Sequence, residues 1–460
     1  MRILFVSHYF PPAQTAGTET YAFNVAQRLK YRHKLLVFHT EKRVVLPQYE
    51  VLEEEFDGIE KRVMINNRCY HNFGETYSNT WAEDAFRKVL DDFKPDIVHV
   101  HHLMYISLNL PAMIAERGIP VVMTLHDFFL ACPRGGQFML PDKSICPGPE
   151  HERCLNCLST FKYRQKAWEN KMITAVAGLR KRTGIDLTKL LYFTRDKVVR
   201  RDSTAGIVTP VRGDDTHMLE PYIEERKKCV QGVYDNVTLF MTPSITVGEG
   251  LKANGLPREK LRLWKYGIDV KPFKNFKRPE RLVPVVAYLG TLMPHKGVHL
   301  LVEAASSLPR GLVKTLIRGP GAKDPGYAQT LRDQAGPDIL FEPGFNRSEV
   351  RHAFSEIDVL VLPSLWLENS PVVIQEAFAC GCPVITSDLG GMKELVHDRE
   401  NGRLFPAGDA KALAAILEEV GNHPDVIESW RKGIRMPRTI EDDVESLETL
   451  YEQLSGNHTP

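Results

Sequence analysis

The chain has 460 residues, enough for two or three domains that each bury a core. Apolar residues make up 43% and charged residues 25%, ordinary for a globular protein, and a net charge of +1 argues against bulk nucleic-acid binding. No apolar run approaches the roughly 18 residues that span a bilayer, and MRILFVSHYF has too short an apolar core for a signal peptide. A cytoplasmic chain without disulfides is expected.

Arg2–Ser7 reads as a buried strand, followed by the loop HYFPPAQTAGTET. Ala22, Val25, Ala26 and Leu29 then recur at i, i+3, i+4 and i+7 and predict a helix, with Glu19 at its start. Strand, glycine-bearing loop and helix open a doubly wound half, and Gly17 lets backbone come close to a ligand. Further strands are predicted at Lys34–Phe38, Ile97–Val100 and Val121–Leu125, apolar throughout as in a parallel sheet covered on both faces. His101, His102 and His126–Asp127 stand at the carboxyl ends of these strands, where ligands bind in such sheets. A structural role suits His101 and His102 equally well.

Residues 131–158 form a Cys-rich insert. Cys132, Cys146, Cys154 and Cys157 are half of the eight cysteines, spaced C-x13-C-x7-C-x2-C among Pro, Gly and charged residues. So little apolar content needs a staple, and four thiolates on a structural zinc ion would supply one. Free thiols and an iron–sulfur cluster are the alternatives. Residues 161–235 read as a basic helical insert with 16 Lys or Arg against 10 Asp or Glu. A solvated face, a seat for an anionic acceptor and peripheral contact with an anionic membrane all fit it.

Val237–Pro243 and Leu261–Lys265 are the last predicted strands of the first domain, 1–270. The second domain, 281–436, opens with the strand Pro284–Leu289, the loop GTLMPHKG and a helix from Val298. Strands follow at Val313–Ile317, Ile339–Phe341, Asp358–Leu362, Pro383–Thr386 and Arg403–Phe405. Between the last three lies SLWLENSPVVIQEAFACGCPVITSDLGGM, Ser364–Met392. Ser370 caps the predicted helix there, Pro371 opens it and Gly381 ends it. Glu368 precedes this helix and Glu376 lies within it, its side chain leaning back toward the loop. Two carboxylates beside unpaired helix amides suit a ligand with hydroxyls and phosphate, as a sugar nucleotide has.

Glu368 and Glu376 with seven residues between, ENSP, ACGCPVI, the Gly17 loop, TLHD, GTLMPHKG and DLGGMKELV together resemble the retaining glycosyltransferases of family 4. The resemblance covers most of the chain, with a subgroup that carries a four-cysteine insert after the strand-end histidine. It implies an α/β GT-B architecture: two Rossmann-like domains facing a central cleft, acceptor side first and donor side second, with a final helix, 437–460, packing back on the first domain. It implies a UDP- or GDP-sugar donor and a glycan or lipid-linked acceptor, in polysaccharide or glycolipid assembly at the inner membrane face. His126 would face the donor sugar, Glu376 would bind the ribose and Glu368 the donor sugar, and Lys296 would bind the diphosphate. Gly17, Gly290, Asn369, Ser370 and Pro371 would border the donor, and Phe345 and Asn346 the base. Thr291 stands where the family usually has an arginine, and Arg318 or Arg347 could replace it. No D-x-D is present, so metal-independent catalysis is expected. A sugar-nucleotide epimerase or hydrolase of the same fold, or a non-catalytic nucleotide-sugar sensor, are the rival readings.

Overall fold

The computed structural model describes residues 1–161, 163, 219–321 and 324–456. Most of the basic stretch 161–235, and with it the expectation of a membrane-facing surface, lies outside these residues. Among the described residues no helix is long and apolar enough to cross a membrane. The chain packs as two units. One comprises Met1–Met241, Leu251–Arg262 and the residues from Leu447; the other comprises Thr242–Gly250 and Leu263–Ser446.

The first unit is built on an eight-stranded sheet. Its strands are β1 (Arg2–Ser7), β2 (Lys34–Glu41), β3 (Val51–Phe56), β4 (Ile59–Ile65), β5 (Ile97–Val100), β6 (Val121–Thr124), β7 (Leu239–Thr242) and β8 (Leu261–Leu263). They lie in the order β3-β4-β2-β1-β5-β6-β7-β8. The pairings from β4 through β7 are parallel, and β3 pairs with β4 antiparallel. Positions Ile3 to Ser7 are all buried, as helices on both faces of a parallel sheet require. One of these helices, Gly17–Leu29, turns Tyr21, Ala22, Val25, Ala26 and Leu29 inward. Another, Thr80–Phe93, starts where the Asn79 side chain accepts the Ala82 amide. The β3–β4 hairpin adds to the predicted strands; the three consecutive glutamates in Val51–Phe56 hide it from an apolar pattern. Its signal was Asp57-Gly58, with φ of 49° and 70°, the left-handed pair a tight hairpin turn demands. Strand order reverses between β1 and β5, the kind of switch point at which open α/β sheets bind ligands.

The second unit repeats the plan with β9 (Val285–Leu289), β10 (Lys314–Arg318), β11 (Ile339–Glu342), β12 (Val359–Leu362), β13 (Val384–Ser387) and β14 (Gly402–Phe405). The order β11-β10-β9-β12-β13-β14 is parallel throughout. It is the doubly wound order, with its switch point between β9 and β12. Both units are therefore Rossmann-like, as the sequence pattern predicts. Leu301, Ile317, Val361, Leu417 and Trp430 belong to one core layer, and Leu289, Leu360, Ile374 and Phe378 to another. Cys380 and Cys382 fill the second layer, 6% and 0% exposed, and burial pushes both thiols up. They pack as small buried side chains.

The last helix, Ile440–Gly456, buries Val444, Leu447, Leu450 and Tyr451. Within the first unit, the Tyr451 hydroxyl meets Nδ1 of His99 on β5 at 2.5 Å.

Candidate functional site

At the switch point of the second unit, two chain segments leave the sheet side by side. The chain after β9 enters a short 3-10 turn, Pro294–Lys296, and then the helix Val298–Ser306 through Gly297 in the left-handed region, φ 68°. A Cβ on Gly297 would overlap the carbonyl oxygen of Pro363, which follows β12. Glycine is required there for both reasons, and the two loops touch because of it. Leu365 donates its amide to the His295 carbonyl at 2.9 Å. This contact delivers Lys296 Nζ to Glu368 Oε1 at 2.5 Å, with Ser364 Oγ donating to the same oxygen at 3.1 Å. Lys296 also lies 5.0 Å over the Trp366 ring. The amide of Gly297 donates back to Pro294 inside the 3-10 turn, so it is not available to a ligand. Among the described residues the Val298 amide has no partner.

The loop carrying Glu368 is held from its other side. Gly391 donates to the Glu368 carbonyl at 2.7 Å, and a Cβ on Gly391 would overlap the Asn369 carbonyl. The Asn369 side chain accepts from Ser244 at 2.5 Å. Ser370 is not the helix cap that the sequence suggests. The helix is Val372–Ala379, Pro371 takes the capping position, and Ser370 Oγ accepts the Gln375 side-chain amide at 3.1 Å. The first helix amides therefore keep no side-chain acceptor and stay open toward the loop. Glu376 is 7% exposed and pairs with Arg347 at 2.8 Å. Burial pushes the Glu376 carboxyl up, and the Arg347 guanidinium pulls it back.

The predicted residues thus gather as two ion pairs around one loop and one helix start, Lys296–Glu368 and Arg347–Glu376. Arg318 belongs to neither. At the end of β10 it is bound by the carboxylates of Glu342 and, at 2.7 Å, Glu356. Arg347, also ion-paired, is the more open of the two, 44% exposed in its side chain against 10% for Arg318. Gly290 leaves β9 with φ 157°, Thr291 gives its carbonyl to Tyr288, and Asn346 begins the turn that carries Arg347. Phe345 packs half-buried against the second core layer.

In the first unit the strand ends carry histidines. His101 Nδ1 lies 3.4 Å from His126 Nε2, and their rings are 5.6 Å apart. His102 accepts the Met104 amide on Nδ1 and donates from Nε2 to Asp127 at 3.2 Å, which fixes its tautomer. His8, just past β1, meets Glu19 at 3.2 Å. Burial, and then the neighbouring histidines, hold His126 well below the usual histidine range, so its imidazole is neutral. Glu19 is the third helical residue and not the first; its other oxygen accepts the Ala16 amide at 3.0 Å. A Cβ on Gly17 would meet nothing within 4 Å. Neither packing nor a positive φ calls for glycine there.

Residues 15–178 match the family model described as Glycosyltransferase Family 4, and residues 270–435 match Glycosyl transferases group 1. The chain carries both domains of a group 1, family 4 type glycosyltransferase. Among curated relatives, the amylovoran biosynthesis glycosyltransferase AmsK of Erwinia amylovora is 32% identical over 205 residues, 42% of this chain and 50% of that protein. The GDP-mannose-dependent alpha-mannosyltransferase of Mycobacterium tuberculosis is 34% identical over 177 residues, 37% of this chain and 44% of that protein. The match spans about half the length of these relatives or less. Sucrose-phosphate synthase from Thermosynechococcus elongatus shares the fold, with a TM-score of 0.65 at 16% identity over 99% of this chain and 100% of that one. Anabaena HepE in complex with UDP-glucose gives 0.60 at 16% identity, over 97% and 98% of the two chains.

The zinc ion expected from the cysteine spacing finds no support in the structure. Cys132, Cys146, Cys154 and Cys157 do line one small cavity, but among the described residues no three Cys, His, Asp or Glu side chains are placed to hold a metal ion. The zinc staple is unsupported, and other contacts hold the segment. Phe128 stacks on Phe138 at 4.4 Å, and Met139 bridges Ile145. Buried Arg226 donates to the carbonyls of Phe129 and Leu130 from the helix Glu220–Asn236. Arg134 donates to Cys157 Sγ at 3.4 Å.

Proposed function

We propose that the protein is a retaining, metal-independent glycosyltransferase that moves a sugar from a UDP- or GDP-linked donor to a glycan or lipid-linked acceptor in polysaccharide or glycolipid assembly. One observation carries the reading: Lys296, Glu368 and the opening amides of two helices meet at the switch point of a doubly wound unit. The relative named for amylovoran biosynthesis, the GDP-mannose-dependent relative and the UDP-glucose complex of HepE support donor and pathway class.

In the reaction the bond between the sugar's anomeric carbon and the donor diphosphate breaks, and a bond from that carbon to an acceptor oxygen forms. The diphosphate leaves with the bonding electrons. Its oxygen takes the acceptor's proton while the acceptor enters on the same face, so configuration is retained. Lys296, Arg347 and the Val298 amide face the charge that develops on the leaving group, a stabilisation that grows toward the transition state. Glu368 accepts hydroxyls of the donor sugar, and its bond to Lys296 also holds that ammonium in position. Glu376 accepts the ribose hydroxyls. Neutral His126 offers a hydrogen bond without adding charge to the transferred sugar.

Incubation with labelled UDP- and GDP-sugars and glycan acceptors tests this. The expected product is a glycoside of unchanged anomeric configuration. An isomerised or hydrolysed donor would point to the epimerase reading, and binding without turnover to a sensor.

A further inference from the structure

At the carboxyl edge of the first unit's sheet stands a cation that has no counter-charge among the described residues. Arg68 follows β4, and among the described residues no carboxylate lies within ion-pair reach of it. Its Nη2 donates to the Tyr9 hydroxyl at 2.5 Å, and its guanidinium lies 4.1 Å over the ring of Tyr105. The two tyrosine rings are 5.7 Å apart and tilted by 58°. Tyr9 follows β1 and Tyr105 follows β5, so the group straddles the switch point of this sheet.

Two of the three residues hold backbone conformations that side chains disfavour: φ is 59° at Arg68 and 66° at Tyr105. A single buried side chain enforces both. Asn66, 4% exposed, accepts the Arg68 amide at 2.9 Å and donates to the Tyr105 carbonyl at 2.7 Å. Such conformations persist where the surroundings over-determine them, and they cluster at ligand clamps. Here they spread an arginine on a tyrosine face and leave its Nε and Nη1 without a partner among the described residues. A guanidinium edge of that kind matches the two oxygens of a carboxylate or phosphate, and tyrosine rings suit the apolar face of a sugar.

We propose that Arg68, Tyr9 and Tyr105 form an acceptor subsite that recognises a sugar bearing an oxyanion, a carboxylate or a phosphate. The role as acceptor subsite rests on the glycosyltransferase reading; the oxyanion binding itself does not.

Calorimetric titration of the full chain separates the two. The probes are p-nitrophenyl β-D-glucuronide, glucose 6-phosphate and the neutral p-nitrophenyl β-D-glucoside, each with UDP or GDP at saturation. The wild type should bind at least one charged probe about tenfold or more tighter than the neutral one, the scale of a charge-assisted hydrogen bond. Which charged probe gains identifies carboxylate or phosphate. Arg68→Gln should abolish that difference, and Arg68→Lys should reduce it by removing the two-pronged donor. Nucleotide affinity and melting temperature, unchanged in the variants, confirm an intact fold. Equal binding of charged and neutral probes by the wild type, or a preference that survives Arg68→Gln, overturns the proposal. Failure of the wild type to bind either nucleotide counts against the glycosyltransferase reading alone, and the probe comparison is then read without nucleotide.

Discussion

Lys296→Ala should lower kcat by about 10² or more, the cost of removing one donor aimed at developing charge. The position of Lys296 is what carries the expectation. Its ammonium is brought to the switch point by the turn Pro294–Lys296, is three-quarters buried and is oriented by Glu368 at 2.5 Å. An ammonium has three donors, so the Glu368 bond leaves others for a diphosphate oxygen. Because the leaving group's charge rises as the bond breaks, the loss should fall on kcat more than on donor KM. Lys296→Arg should retain part of the rate by keeping the charge. Glu376→Ala should behave differently, weakening nucleotide binding by roughly 1–3 kcal/mol, as loss of a hydrogen bond to a charged group does. Steady-state kinetics and nucleotide titration read both. A Lys296→Ala enzyme within twofold of the wild-type kcat would remove this lysine from the chemistry.

Lowering the pH from 7.5 to 5.5 should cost the first unit at least about 4 kcal/mol of stability from three fully buried histidines alone, a large part of the 5–15 kcal/mol typical of a domain. His39, His99 and His101 are all 0% exposed. Burial is the leading cause in each case, pushing His39 and His101 down to about 3 and His99 well below the usual range. In the unfolded chain each takes a proton near 6.5, while in the folded chain it stays neutral. Between about 6.5 and about 3 the unfolded state therefore binds more protons, and stability falls as pH falls. Each histidine contributes about 1.4 kcal/mol per pH unit once well below 6.5. Urea midpoints followed by circular dichroism at the two pH values check this. Equal midpoints would mean that these imidazoles protonate in place.

Much of the plan was legible in the chain, for definite reasons. The strands of both doubly wound units are unbroken apolar runs, since both faces of a parallel sheet are covered. Glu368, Glu376 and Lys296 lie next to strand ends and helix starts, where local spacing predicts where side chains point. What could not be read depended on partners far along the chain. Arg318 looks like a phosphate ligand until Glu342 and Glu356 are seen to hold it. Ser370 looks like a cap, but Gln375 engages it. The amide of Gly297 is consumed by a 3-10 turn that no periodicity announces. Four cysteines in 26 residues suggest zinc on composition alone, whereas the contacts of Phe128 with Phe138 and of Arg226 with Leu130 come from positions that no spacing announces. Arg68 and Tyr105 lie 37 positions apart and meet through Asn66, a contact without any local signal.

The decisive measurement is the initial rate of sugar transfer after exhaustive chelation of divalent metals. If Lys296, Arg347 and helix amides carry the leaving diphosphate, the chelated enzyme should turn over at the untreated rate, and added magnesium should not raise it. A rate that collapses on chelation and returns with magnesium would show that a metal ion holds the diphosphate in their place.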